Sequence, residues 1–264
     1  MKKKALSLLV LLVGVTMLLS AGGQKESAKP SAAETSPVVV FNAASTTDLV
    51  NDIADLFTEA TGIAVESNPA SSGTLAHQLE QGAEADVYIS ASKKWMDFTK
   101  DLGITEEVSP FVKNRLVLIA PLDSPMEPFE LTGNTDFPAI FEGRLSMGDP
   151  AHVPAGKYAE DALKYYGWYD TLTDRIQPAA DVRAALMVVE LGETELGIVY
   201  ETDAMKSQKV KIVSRFPEES HTPIEYFVAY MKESNAAGKQ FYDFLFENEK
   251  VGELYKKYGF SVSK

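Results

Sequence analysis

VVVFNAASTTDLVNDIADLFTEATG, residues 38–62, carries the pattern that decides the architecture. Val38 to Phe41 is a short apolar run rich in β-branched residues and reads as a buried strand. It ends in the small residues Asn42 to Ser45, after which Leu49, Ile53, Leu56 and Phe57 fall on one stripe of a helix. Gly62 closes that helix. Moving outward, Ile63 to Ser67 reads as a strand, Pro69 to Gly73 as a turn, and Thr74 to Gln81 as a helix with Leu75 and Leu79 inward. Asp86 to Ser90 is a further strand, Lys93 to Leu102 a helix ended by Gly103, and Leu116 to Ala120 an apolar strand stopped by Pro121. This strand–helix alternation predicts a mostly parallel sheet covered by helices.

The pattern then restarts. Leu145 to Met147 reads as a strand, followed by a loop through Gly156 and helices from Lys157 to Tyr166 and from Asp181 to Leu191. Leu196 to Tyr200, Val210 to Val213 and Ile224 to Tyr230 read as strands, and helices around Phe241 to Phe246 and Val251 to Tyr258 follow. Two such halves predict an α/β protein of two lobes, each a mostly parallel sheet flanked by helices, with a ligand cleft between them. Lobe 1 is expected over residues 38–118 with 226–264 and lobe 2 over 119–225. Leu116 to Ala120 and Ile224 to Ala229 are the expected crossings.

Upstream of Val38 the chain reads as an address. Lys2, Lys3 and Lys4 precede an uncharged, Leu- and Val-rich stretch that ends in Ser20, Ala21, Gly22 and Gly23. Residues 1–22 are therefore expected to be a secretory signal peptide, with an uncleaved anchor as the alternative, and 23–37 a disordered spacer. A periplasmic or otherwise extracytoplasmic location follows.

The 264 residues include 25 basic and 38 acidic side chains, giving a net charge of −13. Loss of the signal peptide would remove three lysines and no acid. This balance argues against nucleic acid and anionic lipid as partners. The chain has no cysteine, which removes disulfides, thiolate nucleophiles and zinc–thiolate sites, and leaves no thiol for an acyl anchor.

Four segments share one chemistry. Asn42 to Thr47, Ala70 to Thr74, Val153 to Gly156 and Ala179 to Val182 each place small residues at a helix start. There, up to four backbone N–H groups lack intrahelical partners and the helix dipole favours an anion. Ser45 and Ser72 add hydroxyl donors. Each segment taken singly is also what an ordinary N-cap looks like.

Competing chemistries are thinner. Ser90-Ala91-Ser92-Lys93 matches S-x-x-K, so a serine hydrolase using Ser90 or Ser72 is an alternative from another class, but no partner motif and no G-x-S-x-G elbow accompanies it. His77, His152 and His221 are scattered and form no metal-binding spacing. Tyr165 and Tyr166 read as a packed helix end.

From Val38 onward the chain resembles the periplasmic molybdate-binding proteins of ABC transporters. The resemblance rests on Ser72-Gly73-Thr74-Leu75-Ala76, Ala85 to Ala91 with Lys94-Trp95-Met96-Asp97, and Gly148-Asp149-Pro150 with His152 to Gly156. It continues through Ala180-Asp181-Val182-Arg183, Leu196 to Tyr200, Phe216-Pro217-Glu218 with Ser220-His221, and Lys257 to Phe260. It implies a type II solute-binding protein, not an enzyme, that holds molybdate, and tungstate with it, between two lobes and docks on a membrane permease. It implies five contacts: hydroxyl and amide of Ser45 and of Ser72, the amides of Ala155 and Val182, and the phenol of Tyr200. These would touch the molybdenum oxyanion only through its oxygens. No cofactor beyond that ligand is expected, and a monomer is. A receptor for sulfate or another oxyanion is the alternative within the class. Asn42, where Ala is more usual, and Gly73, where Ser is common, depart from the family pattern beside the implied contacts. A site built of donors alone is expected to reject monohydrogen phosphate, whose O–H would find no acceptor.

Overall fold

The computed structural model describes residues 36–263. The expected signal peptide and all but the end of the expected spacer lie outside the described residues. Among the described residues, eleven strands form two sheets. The first sheet contains β1 (Val38–Ala43), β2 (Val65–Ala70), β3 (Val87–Ser90), β4 (Thr105–Lys113), β10 (Glu225–Met231) and β11 (Ser261–Val262). Its order is β11-β4-β10-β3-β1-β2. The second contains β5 (Leu116–Pro121), β6 (Leu145–Gly148), β7 (Ile176–Ala179), β8 (Leu196–Tyr200) and β9 (Val210–Arg215), ordered β7-β6-β8-β5-β9.

The two-lobed α/β architecture holds, with one difference: both sheets are mixed. β1 pairs in parallel with β2 and β3, whereas β10 runs antiparallel to β3 and β4. In the second sheet β6 is parallel to β7 and β8, and β5 is antiparallel to β8 and β9. The antiparallel part of the first sheet depends on β4, which the sequence pattern does not announce. β4 carries Pro110 and a largely exposed face, so no apolar run marks it. The chain crosses between sheets at Asn114 and Arg115, because every ladder bond of β5 from Leu116 on is made in the second sheet. The return falls between Arg215 and Glu225. The boundaries expected at 118/119 and 225/226 thus cut into β5 and β10.

Helices α1 (Thr47–Thr61), α2 (Ser72–Glu80) and α3 (Lys93–Asp101) follow β1, β2 and β3. Helices α4 (Phe137–Ile140), α5 (Pro154–Tyr165), α6 (Tyr169–Leu172), α7 (Val182–Glu190) and α8 (Glu201–Lys206) flank the second sheet, and α9 (Ala236–Glu247) and α10 (Glu249–Lys257) return to the first. Leu49, Ile53 and Phe57 are the buried stripe of α1, and Gly62 at φ 75° ends it. Phe57 meets Phe241 of α9 edge-on at 5.2 Å. A single apolar cluster runs through both sheets, including Val40, Ile53, Leu118, Leu145, Val199 and Phe241. A smaller one around Leu75, Tyr88, Trp95 and Met96 covers the other face of the first sheet.

Two helix starts lie earlier than the sequence pattern implies, and both matter for the site. α2 begins at Ser72 because Ser71 caps it, its Oγ accepting from Thr74 N at 3.2 Å. α5 begins at Pro154, whose missing N–H and fixed φ suit the first helical position. Ser72 and Ala155 therefore sit in first turns.

Candidate functional site

All five residues singled out in the sequence, Ser45, Ser72, Ala155, Val182 and Tyr200, line one small cavity. It lies where the carboxyl ends of β1, β2 and β3 face those of β6, β7 and β8. Each of the five is at most 3% exposed. Ser45 sits in a 3-10 turn, Ala44–Thr46, between β1 and α1. Hydroxyls of Thr46 and Thr47 brace it by donating to Ala43 O and Ala44 O, both at 2.7 Å.

Capping decides which amides stay free. At α2, Thr74 N–H goes to Ser71 Oγ and Gly73 N–H crosses to His152 O at 3.0 Å, leaving Ser72 N–H for the cavity. At α7, Asp181 Oδ1 accepts from Arg183 N (2.8 Å) and Ala184 N (2.9 Å), leaving Val182 N–H. At α5, Val153 at the N-cap offers no side-chain acceptor and Pro154 has no N–H, so Ala155 N–H is the first donor of that helix. The loop reaching Ala155 is tight: a Cβ on Gly156 would lie 2.0 Å from Gly148 O.

The hydroxyls are polarised. Ser72 Oγ accepts from Ala91 N at 2.9 Å, so its own proton is free to point into the cavity. Ser45 Oγ lies 2.8 Å from Tyr226 Oη. Tyr200 Oη is buried with no hydrogen-bond partner. Burial, with the neighbouring phenols of Tyr226 and Tyr158, pushes the Tyr200 hydroxyl well above the ordinary tyrosine range, so it stays a donor. An unpartnered buried hydroxyl costs about 1–3 kcal/mol, and an acceptor in the cavity would remove that cost. No cationic side chain lines the cavity, and the single acidic residue there, Asp181, caps α7 through Oδ1. The arrangement offers hydrogen-bond donors to an anion without a countercharge.

A clasp beside the cavity joins the two sheets' helices. Arg183 Nη2 of α7 reaches Asp48 Oδ2 of α1 at 2.8 Å, and Lys206 Nζ of α8 reaches Asp48 Oδ1 at 3.1 Å. Arg183 Nε also meets Asp203, which is fully buried. Burial pushes the Asp203 carboxyl up to about 7 against the pull of Arg183. Burial also raises Asp48, but Lys206 and Arg183 together hold it below the usual carboxylate range.

Other candidates fall away from this cavity. Ser90 Oγ donates to Ser92 O at 2.8 Å, while Lys93 is exposed and paired with Asp97, so the S-x-x-K residues share no contact. His77 pairs with exposed Glu80, His152 contributes its carbonyl, and His221 Nδ1 faces Thr222 O. Among the described residues no group of three or more His, Asp or Glu could hold a metal ion. Tyr166 stacks on Trp168 at 4.2 Å, whereas Tyr165 is 58% exposed, so only one of the pair is packed. Asn42 is buried beside the site, its Oδ1 accepting from Ser67 Oγ at 2.9 Å. Sequence reading missed Tyr226, Ala91 and the Asp48–Arg183 clasp. Tyr226 is one aromatic in an apolar strand, and Ala91 acts through its backbone, so neither carries a signal of its own.

A cavity closed between two α/β halves and furnished with neutral donors is the construction of a solute receptor. The chain belongs to the bacterial extracellular solute-binding proteins, whose family model matches residues 38–261. Among its relatives, the molybdate-binding protein ModA of Escherichia coli (strain K12) is 44% identical over 234 residues, 87% of this chain and 91% of that protein. The substrate-binding domain of a putative molybdenum ABC transporter from Clostridium difficile superposes with a TM-score of 0.65 at 28% identity, over 87% of this chain and all of that domain. The periplasmic molybdate-binding protein of Azotobacter vinelandii shares the fold, with a TM-score of 0.75 at 23% identity over 86% of this chain and 100% of that one.

Proposed function

We propose that the protein captures molybdate, and tungstate with it, outside the cytoplasmic membrane and delivers the ion to the permease of an ABC importer, without a catalytic step or a cofactor. The observation that carries this reading is the convergence of Ser45, Ser72, Ala155, Val182 and Tyr200 on one cavity, where an unpartnered phenol and the first-turn amides of three helices supply donors. The relatives' names supply the identity of the ion; the donors supply the reason a deprotonated tetrahedral oxyanion would be held. Such an ion offers four oxygens, and each bond to a charged acceptor is worth about 1.5–3 kcal/mol. Binding without chemistry is supported by the serines: Ser72 Oγ is bonded to a backbone amide and Ser90 Oγ to a backbone carbonyl, and neither is paired with a base. An extracytoplasmic site of action agrees with the family and with the expected signal peptide. Among the described residues, no helix is long and apolar enough to cross a membrane.

Thermal denaturation with added oxyanions tests the reading. A ligand at 100 times its Kd stabilises by about 2.7 kcal/mol. Molybdate and tungstate should raise the melting temperature by several degrees, and sulfate and phosphate at the same concentration by much less. No shift with any of the four would overturn the proposal.

A further inference from the structure

We propose that Tyr226, oriented by Asn114, fixes Ser45 as a hydrogen-bond donor to the bound ion and thereby excludes oxyanions that carry a proton. The inference rests on the reading of the cavity as an oxyanion site and assigns its selectivity to residues outside it.

Asn114 sits at the crossing between the sheets. Its Oδ1 accepts from Arg115 N at 2.9 Å, which turns its Nδ2 group the other way. That nitrogen donates to Thr202 Oγ1 at 2.8 Å and to Tyr226 Oη at 3.3 Å. Tyr226 is fully buried, and burial keeps its phenol protonated. With one lone pair taken by Asn114, the Tyr226 proton has to be placed, and the acceptor at hand is Ser45 Oγ, 2.8 Å away. The opposite polarity, Ser45 donating to Tyr226, would leave the Tyr226 proton only Tyr200 Oη, which lies outside hydrogen-bond geometry. The direction is therefore Asn114 to Tyr226 to Ser45, and the Ser45 proton points into the cavity.

In this arrangement the hydroxyls turn their protons toward the ligand. Ser72 Oγ already accepts from the Ala91 amide, a backbone donor that only a proline would remove. Tyr200 Oη has no partner in the protein, so its proton too is placed on the ligand. Monohydrogen phosphate would bring one proton too many. Tyr226 is thus the element of donor polarity that a side-chain change can undo, and its role is positioning: it does not line the cavity.

Calorimetric titration of the full mature protein with molybdate and with inorganic phosphate, at a pH where monohydrogen phosphate dominates, tests this. In Tyr226→Phe the Ser45 hydroxyl loses the donor that orients it and can turn a lone pair to the cavity. Molybdate affinity should fall about tenfold and phosphate affinity should rise, so that the ratio of the two dissociation constants narrows by about a hundredfold. Asn114→Ala, which removes the donor that orients the Tyr226 hydroxyl, should narrow the ratio in the same direction and serves if Tyr226→Phe folds poorly. Ser45→Ala removes donor and acceptor together, so it should weaken molybdate with no gain for phosphate. A wild-type ratio retained in both Tyr226→Phe and Asn114→Ala, with wild-type molybdate binding intact, would overturn the relay alone. Absence of any oxyanion binding by the wild-type protein would overturn the functional reading beneath it.

Discussion

Ser45, Ser72 and Tyr200 present hydroxyls to the same cavity, but each is held differently. Ser72 is fixed by a backbone amide, Ser45 by a phenol, and Tyr200 by nothing but the strand it ends. Ser45→Ala and Ser72→Ala should each weaken molybdate binding by roughly 10- to 100-fold, from about 1.5–3 kcal/mol per charge-assisted bond. Calorimetry reads this directly. Tyr200→Phe should produce opposite effects in two assays. It deletes a buried hydroxyl that lacks a partner, so chemical denaturation without ligand should show a stability gain of about 1 kcal/mol. Molybdate affinity should nevertheless fall, by less than in the double serine variant. Unchanged ligand-free stability together with unchanged affinity would contradict the placement of that hydroxyl. At this scale the two serines were legible, because small polar residues after apolar strands mark helix starts with free donors. Ala155 and Val182 act through amides and fall in helix-start segments that the sequence marks, whereas only the resemblance singled out Tyr200. Tyr226 was not legible: its contact with Ser45 spans 181 positions.

Among the elements, α1, α2 and α7 decide whether the two sheets close on a ligand. The clasp of Asp48 on α1 with Arg183 on α7 and Lys206 on α8 is partly exposed, so solvent screening limits its worth to about 1 kcal/mol. Asp48→Asn should therefore cost a few-fold in molybdate affinity, an effect that shrinks as salt is added. The approach of α2 to the loop before α5 is stricter. A Cβ on Gly73 would lie 2.5 Å from His152 O and 2.7 Å from the Trp95 ring. Gly73→Ala should weaken ligand binding by about tenfold or more, since overpacking a tight contact costs about 1–3 kcal/mol. Affinity equal to wild type in that variant would show that the two elements do not need this approach. The Trp95 ring and the His152 carbonyl explain why the smallest residue fits at Gly73. The alternation of strands and helices was readable from periodicity, while β4 and β7 were not. β4 is largely exposed on one face, and β7 (IQPA) is short and contains Pro178.

For the molecule as a whole, net charge and buried phenols set the response to solution conditions. A chain of net charge −13 repels a dianion at long range, and salt screens that repulsion beyond about 8 Å at physiological ionic strength. The association rate for molybdate should rise with added salt, the reverse of a steered cationic site. Burial holds the hydroxyls of Tyr88, Tyr158, Tyr200, Tyr226 and Tyr255 above the ordinary tyrosine value. A raised folded-state value contributes stability that is complete below the unfolded value near 10 and is lost as pH rises past it. The tyrosine contribution to the melting temperature should be flat through neutral pH and fall steeply above about pH 10, while molybdate affinity shows no step at ordinary phenol ionisation. The overall charge was legible from composition. Its irrelevance at contact distance was not, because that depends on where neutral donors point.

A crystal structure grown with molybdate, with the ion located by the anomalous signal of molybdenum, bears most directly on the central claim. The peak should fall inside the cavity between the two sheets. Oxygens should lie about 2.7–3.2 Å from Ser45 Oγ, Ser72 Oγ, Tyr200 Oη and the amides of Ala155 and Val182. A peak elsewhere on the protein, or an ion in the cavity that touches none of the three hydroxyls, would contradict it.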